Sequence, residues 1–392
     1  MKTKNLILPI EAYTSQEWLD RELKYIFSTT WQFAGLIEDV SKPGDYITVQ
    51  AGLNNIFVMM GHDHQIRAFH NICRHRGTQL LQSVGKSQKA ITCPYHDWIY
   101  DVQGKLISVP ERETEFPDLK TPLSNCGLNL HQASVGTFKG MLFVHPDATP
   151  NISLKEYFAD VESFLGPHKV EELVEYTEKP NHPIYSDVIH ANWKIIVDNY
   201  IDHYHLSHLH KNTLNMYDHK NARFGWAGPH YWFYEKLTPA YEKDIENLSP
   251  YVLIDSVPEN QLGAYAPWFF PNIGISESES TWSTFHVIPL APDKTLVTVR
   301  SKVMNVSDAK ATQQYLKSGL HGFWKKYETQ FSEDDPAPMN SGDFMKEDIY
   351  ACEQLQKSLQ SPYYSVGAMA QKGEYAIEKF QHLIQEWMDK HS

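Results

Sequence analysis

The hydrophobic and polar positions along the chain predict a helix, then a block of strands, then a segment that mixes both. A capping-box spacing at Thr14–Glu17 precedes apolar residues at helical intervals: Leu19, Leu23, Ile26 and Phe27. From about residue 31 to residue 150, short apolar runs such as DYITV (45–49) and NIFVMM (55–60) alternate with turn sequences such as Pro-Gly and Gln-Gly. This pattern predicts a compact all-β unit of about 110–120 residues, an ordinary domain size.

A charged helical stretch, SLKEYFADVESFL, follows Pro150 and indicates a domain boundary. Beyond it, residues 281–303 predict a long β-hairpin, and two helical patterns end the chain. The last helix carries four apolar residues on one face: Ile377, Phe380, Ile384 and Trp387. We therefore predict an α+β chain with a helical segment at 1–30, an all-β domain at 31–150 and a mixed domain at 151–392.

Composition narrows the possible functions of the 392 residues. A formal charge of −13 and a pI near 5.8 argue against binding to nucleic acid or to anionic membranes. Mean hydropathy is −0.46, no apolar run has the length of a membrane span, and no signal peptide is expected. Four cysteines are too few for a disulfide framework and suit a reducing cytoplasm. The twenty histidines indicate metal binding.

Two Cys–His pairs form the first candidate metal site: Cys73 with His75, and Cys93 with His96. Two thiolates and two imidazoles suit either a tetrahedral zinc or a two-iron cluster. A structural zinc knuckle is one interpretation, although zinc motifs seldom place a single residue between Cys and His. The mixed order also lets one iron take both cysteines and the other both histidines, as in a Rieske [2Fe–2S] centre.

A second candidate site lies in DNYIDHYHLSHLH, residues 198–210, which holds four histidines and two aspartates. In a continuous helix, Asp202 and His205 lie three residues apart on one face, and His208 extends that face. His210 would be rotated well away from it. Helical geometry alone therefore favours His205 and His208 as ligands.

A carboxylate is needed to complete a ferrous site with two histidines and open positions. Along SGDFMKEDIYACEQLQKSL (341–359), a helix would place five residues within a narrow arc: Phe344, Asp348, Cys352, Leu355 and Leu359. An aspartate in an apolar stripe is costly to bury unless it binds something, and Glu347 and Glu353 would point elsewhere. Asp348 is the candidate. The alternative explanation is that Asp348 binds no metal and is favoured at this position only by the helix dipole, because it lies near a helix N-terminus.

Three separated stretches resemble the α subunits of Rieske non-haem iron oxygenases: CRHRG with CPYHDWIY, ANWKIIVDNYIDHYHLSHLH, and EDIYACEQLQ. The resemblance spans nearly the whole chain. It implies a Rieske domain at 31–150, and a catalytic domain at 151–392 whose curved antiparallel sheet grips a long C-terminal helix, with segment 1–30 packed on it. It also implies one [2Fe–2S] cluster and one Fe(II) per subunit, the cluster held by Cys73, His75, Cys93 and His96.

The same resemblance assigns the mononuclear iron to His205, His210 and Asp348, with a break in the helix before His210. His208 remains the rival ligand. Asp202 would bridge His205 to His96 of a neighbouring subunit in a homotrimer, and Asn199 would support the site. Electrons would come from a separate NAD(P)H-dependent reductase, directly or through a ferredoxin, because the chain has no nicotinamide or flavin fingerprint.

The sequences of these motifs are most similar to those of carnitine, choline and betaine-type monooxygenases. This similarity implies a small quaternary-ammonium substrate and O₂. Seven aromatic residues could include a cage for the cation: Trp226, Tyr231, Trp232, Phe233, Tyr265, Trp268 and Phe269. They could equally be core residues or a pocket for a flat arene, and ring-hydroxylating dioxygenation is the alternative function. A zinc-knuckle carrier of hydrophobic ligands is the non-enzymatic alternative.

Overall fold

A computed structural model describes residues 7–86, 88–176, 185–320, 339, 342–365 and 368–390. Packing divides the chain into a β unit, Arg21–Tyr157, and a mixed unit, Met1–Asp20 with Phe158–Ser392. The sequence pattern placed these boundaries near 30 and 150 instead. The difference arises because periodicity does not show which unit a helix packs on. Leu53 N–H donates to Ser28 Oγ (3.0 Å), and Leu154 fills the space beside Gly136, so both flanking segments belong with the strands.

The β unit consists of antiparallel strands in the described residues. One sheet has the order β1-β10-β9-β4-β3-β2-β5 and a smaller one the order β6-β7-β8. The strands are β1 Gln32–Leu36, β2 Tyr46–Ala51, β3 Asn54–Met60, β4 Ile66–His70, β5 Val84–Gly85, β6 Ile91–Thr92, β7 Ile99–Tyr100, β8 Leu106–Ser108, β9 Gln132–Phe138 and β10 Met141–His145. Strand β10 is buried along its whole length, which explains its continuous apolar sequence.

The mixed unit contains a larger antiparallel sheet. Its order is β11-β19-β18-β17-β15-β14-β13, with β12 paired to β19, and β16 paired to β14 and β17. The strands are β11 Leu173–Glu175, β12 Tyr185–Ile189, β13 Arg223–Ala227, β14 His230–Glu235, β15 Ala264–Tyr265, β16 Trp268–Phe269, β17 Ile273–Glu277, β18 Trp282–Ala291 and β19 Lys294–Met304. Strands β18 and β19 are the predicted hairpin, and the predicted α+β class is confirmed.

The α-helices of the described residues are α1 Glu11–Thr14, α2 Gln16–Glu22, α3 Arg112–Glu115, α4 Leu154–Phe158, α5 Trp193–Ile201, α6 Leu206–Leu209, α7 Pro239–Glu242, α8 Ile245–Leu248, α9 Asp308–Leu320, α10 Phe344–Ser358 and α11 Tyr375–Asp389. A π-helical turn, Leu23–Phe27, continues α2. Helix α5 packs against β18, α10 and α11, and the ring of Trp193 meets the ring of Phe380 edge to face, with 5.8 Å between the ring centroids. Within the described residues, no helix is long and apolar enough to cross a membrane.

The opening segment differs in detail from its prediction. Ser15, and not Thr14, caps α2, because its Oγ accepts the Trp18 N–H (3.3 Å). Tyr13 connects the opening segment to helices α10 and α5 by hydrogen bonds. Its carbonyl accepts a hydrogen bond from Gln356 Nε2 of α10 (3.2 Å), and its hydroxyl donates one to Asp198 Oδ2 of α5 (3.3 Å). Burial raises the pKa of Asp198 to about 8, so this carboxyl is held in a largely apolar interior.

Candidate functional site

Helix α5 ends before the histidine-rich stretch begins. Asn192 caps its start by accepting the Lys194 N–H (3.0 Å), and the backbone turns extended at Asp202 (φ −79°, ψ 114°). Helix α6 then spans only one turn. Asp202, His205 and His208 therefore do not share the face of a continuous helix, and the helical argument for His208 fails.

Three predicted side chains come together where this stretch meets α10. Single ligand atoms of His205, His210 and Asp348 all lie within 4.8 Å of one another. Asp348 Oδ1 is 3.0 Å from His210 Nε2 and 3.6 Å from His205 Nε2. His208 is exposed and instead contacts the ring of Tyr204, so it lies outside this group.

Each of the two histidines has a carboxylate on its other ring nitrogen. Asp202 Oδ2 lies 3.2 Å from His205 Nδ1, and Glu347 Oε2 lies 2.8 Å from His210 Nδ1. When each Nδ1–H donates to its carboxylate, both Nε2 lone pairs are directed toward Asp348, the tautomer that a metal requires. The predicted Asn199 also takes part, since its Nδ2 donates to Asp348 Oδ1 (3.2 Å).

Glu347 was expected to point away from the site, and this expectation is wrong. Its side chain is only 1% exposed and also accepts the Thr213 hydroxyl (2.8 Å). Burial by itself would lower the pKa of His210, but its hydrogen bonds to Asp348 and Glu347 outweigh burial and raise the pKa. Two carboxylates around one buried imidazole create a strong preference for positive charge, which suits a cation. The sequence signal for the contact of Glu347 with His210 was its position directly before Asp348.

In the β unit, two tight loops bring the predicted cluster ligands together. Cys73 and Cys93 are buried, and the rings of His75 and His96 lie 4.6 Å apart. The two Nδ1 atoms are buried and have no hydrogen-bond partner among the described residues, as expected if they bind a metal. Gly77 has a left-handed backbone conformation (φ 79°), which lets the chain reverse direction in the loop that holds Cys73 and His75.

The surroundings of these ligands also fit an iron–sulfur cluster. Tyr100 Oη lies 3.5 Å from Cys73 Sγ, and the ring of His75 stacks on Trp98 (4.9 Å, 5°). Burial, with the charges of His96 and Arg76, lowers the pKa of His75 and so favours the neutral, ligating form. The donor set of two thiols and two imidazoles therefore suits a Rieske cluster.

Strand register separates the seven predicted aromatic residues into two faces of the mixed unit's sheet. Trp226 pairs with Tyr231, and Tyr231 pairs with Trp268, so these three side chains share one face, together with Phe233. His203, beside the candidate ligands, packs on Phe224 of this face (4.0 Å). The remaining three residues point to the opposite face: Trp232, Tyr265 and Phe269. On that face, Trp232 and Tyr265 line an open cleft of about 840 Å³.

Comparison with protein families matches both units. Residues 30–126 match the Rieske [2Fe-2S] domain, and residues 170–390 match the ring hydroxylating alpha subunit (catalytic domain). The chain is 27% identical over 370 residues to the glycine betaine monooxygenase oxygenase subunit of Chromohalobacter salexigens, covering 85% of this chain and 79% of the relative. It is 33% identical over 203 residues to the biphenyl 2,3-dioxygenase subunit alpha of Rhodococcus jostii, and this match covers 49% of this chain and 41% of the relative.

The fold is also that of a solved structure, the quaternary ammonium Rieske monooxygenase CntA in complex with an inhibitor. The TM-score is 0.74 at 21% sequence identity, over 97% of this chain and 94% of that one. The family carries a [2Fe–2S] cluster and Fe(II), which supports the cluster interpretation of the two Cys–His pairs over the zinc interpretation. The chain belongs to the ring-hydroxylating α-subunit family of Rieske oxygenases, and is an oxidoreductase that incorporates oxygen from O₂.

Proposed function

We propose that His205, His210 and Asp348 hold the Fe(II), and that Cys73, His75, Cys93 and His96 hold the cluster. The observation that carries the first assignment is the convergence of two imidazole Nε2 atoms and one carboxylate oxygen within 4.8 Å. Two histidines and one carboxylate leave open positions on a ferrous ion. When bound, the two groups supply electron storage and O₂ activation.

The chain's own residues prepare this site. Asp202 and Glu347 hold the Nδ1–H groups of the two histidines and so fix the orientation of both rings. Asn199 holds Asp348 Oδ1 by a hydrogen bond. Asp202 Oδ1 accepts the Tyr204 N–H (2.6 Å), which keeps its carboxylate in place.

Asp202 has a second role in this proposal. It is partly exposed (15%), so its carboxylate is accessible to a second donor besides His205. In a homotrimer, His96 of a neighbouring subunit would supply that donor and complete a hydrogen-bonded route between the two centres. A separate reductase, directly or through a ferredoxin, would deliver electrons to the cluster side of this route.

The substrate we propose is a small quaternary-ammonium compound that is monooxygenated. The aromatic face beside the ligand stretch supports it, because π-faces of Phe224, Trp226 and Tyr231 can surround a cation that has no hydrogen-bond donors. The relatives named for glycine betaine and quaternary ammonium substrates point the same way. Ring dioxygenation remains the second candidate, since the same rings could stack on an arene and biphenyl dioxygenase is a relative.

A single turnover tests the reaction without the reductase. The holoenzyme is reduced chemically, freed of reductant, and given O₂ with a mixture of quaternary amines and arenes. We expect a hydroxylated or demethylated amine carrying one new oxygen, identified by mass. A cis-diol carrying both oxygen atoms would show instead that the chain is a ring dioxygenase.

His210→Ala and His208→Ala separate the two candidate ligands. His210→Ala is expected to lose the mononuclear iron, because it removes a buried Nε2 directed at Asp348, whereas exposed His208→Ala should retain it. Iron content and the visible spectrum of the cluster measure both sites at once. Loss of iron in His208→Ala alone would reverse the assignment.

Glu347→Gln tests the carboxylate behind His210. An amide is neutral and can orient the imidazole only weakly, so we expect roughly 10–100-fold weaker iron binding with an unchanged cluster spectrum. The matched control is Glu353→Gln on the same helix, whose carboxylate accepts the His190 N–H (3.1 Å) away from the site. Equal iron affinity in both variants would contradict the proposed role.

A further inference from the structure

The open cleft of the mixed unit lies on the face of the sheet that turns away from the iron-binding stretch. Arg223, Trp232, Tyr234 and Lys236 are among its lining residues, and its volume of about 840 Å³ is that of a pocket for a small molecule. Successive side chains of a strand point to opposite faces, so Trp232 and Tyr234 of β14 point away from the side of Tyr231. The cleft is therefore distinct from the aromatic face beside the iron ligands.

Two cations in this cleft have no acidic partner. The side chains of Arg223 and Lys236 form neither an ion pair nor a hydrogen bond within the part of the chain that the structure describes. Asp218, the acidic residue among the described lining residues, instead accepts a hydrogen bond from Asn221 Nδ2 (2.7 Å). The chain as a whole has a formal charge of −13, so two unpaired cations in one cleft favour an anionic ligand.

Arg223 is held in place by an aromatic ring. It is the cross-strand neighbour of Tyr234, and its guanidinium carbon lies 4.9 Å from the centroid of the Tyr234 ring. The ring is itself fixed, because the Tyr234 hydroxyl donates to Leu262 O (3.2 Å). A guanidinium that contacts a ring in this way keeps N–H groups free, and it can bind a planar carboxylate through two parallel hydrogen bonds. Arg223 is therefore positioned to recognise a carboxylate.

Aromatic rings form a wall of the cleft beside this cation. Phe164 stacks on Trp232, with 4.5 Å between the ring centroids and 9° between the ring planes. Trp232 in turn lies against Gly225, where a Cβ would come within 3.0 Å of Trp232 Cζ2. On the other side, the ring of Tyr265 lies 4.6 Å from the ring of Tyr234. Phe164 is 39% exposed, so the wall presents aromatic surface to which a ligand ring can pack.

We infer that this cleft binds a small carboxylate that carries an aromatic ring. Arg223 and Lys236 would hold the carboxylate. Phe164, Trp232 and Tyr265 would contact the ring. The inference goes beyond the proposed function, because this ligand has a charge opposite to that of a quaternary amine and its site is on the other face of the sheet. Neither metal centre takes part in the site, so binding can be measured without turnover.

Titration calorimetry of the holoenzyme with indole-3-acetate tests the site. Two further probes separate the parts of this ligand: indole-3-acetamide has nearly the same shape without the charge, and acetate has the charge without the ring. We expect indole-3-acetate to bind at least about tenfold more tightly than either of them. Arg223→Gln should weaken binding of indole-3-acetate by about tenfold or more, and binding of the amide by less than about threefold, because only the carboxylate loses a charged partner.

Lys294→Gln is the matched control, because it removes an exposed cation of the same sheet that does not line the cleft. It should bind the three probes as the unaltered protein does. Lys236→Gln removes the second cation of the cleft, and it should show the same selectivity if Arg223→Gln does not fold. Equal affinity for the acid and the amide would overturn the inference. Acetate that binds as tightly as indole-3-acetate would also overturn it, and so would an unchanged ratio of acid to amide affinity in both cleft variants.

Discussion

An Asp348→Ala variant is expected to lose essentially all turnover while keeping its cluster. Asp348 Oδ1 faces both imidazole Nε2 atoms, and no other carboxylate oxygen belongs to that group in the described residues. Without it, two histidines would have to hold a ferrous ion alone. We expect iron content to fall from about three to about two atoms per chain, since the [2Fe–2S] cluster keeps its two.

The competing explanation of Asp348 makes a different prediction. If the carboxylate only stabilised the N-terminal part of α10 through the helix dipole, Asp348→Ala would lower stability by about 0.3–1 kcal/mol and leave iron in place. Iron analysis, thermal unfolding and the visible spectrum distinguish the two. Asp343, the N-cap of α10, already accepts the Met345 N–H (3.0 Å), so the helix has its own cap. Unchanged iron content would show that the triad is wrong.

With Fe(II) supplied in excess, Asp202→Asn is expected to keep both metal centres and to slow turnover by about 10–100-fold. Asp202 accepts from His205 Nδ1 and from the Tyr204 N–H, and an amide has only one acceptor oxygen for these donors and for the neighbouring subunit's His96. The bonded route between the centres would then be interrupted, although neither set of ligands is touched.

Rapid mixing of the reduced holoenzyme with O₂ and substrate measures this effect as the rate at which the cluster is reoxidised. Asp187→Asn, an exposed aspartate of the same unit, is the control and should behave as the unaltered protein. Normal turnover in Asp202→Asn would disprove the bridge. Loss of iron would show that Asp202 acts mainly by orienting His205.

Much of the architecture was predictable because it depends on local patterns. Alternating apolar runs and turn residues predicted the β unit, and residues 281–303 predicted the hairpin of β18 and β19. Cysteine and histidine spacing predicted the cluster, since ligands on short loops are set by sequence distance. The resemblance of three motifs supplied the family, which the family comparisons confirmed.

The mononuclear site was only partly accessible from sequence. Helical periodicity favoured His208, but α5 ends at Ile201, and the turn that follows exposes His208 and buries His210. Glu347 was placed on the wrong side, because periodicity within α10 does not show that a second segment covers that side. His210 and Thr213 supply partners for Glu347 from that segment.

The sequence by itself indicated the family, through the resemblance of three motifs, and with the family its [2Fe–2S] cluster and Fe(II). Tertiary structure decided which side chains meet. Strand register divided the aromatic residues between two faces of the sheet, and the pairing of β14 with β13 and β15 placed Arg223 and Tyr265 on either side of Tyr234. Residues 223, 234 and 265 are far apart in sequence, and only long-range pairing makes them neighbours.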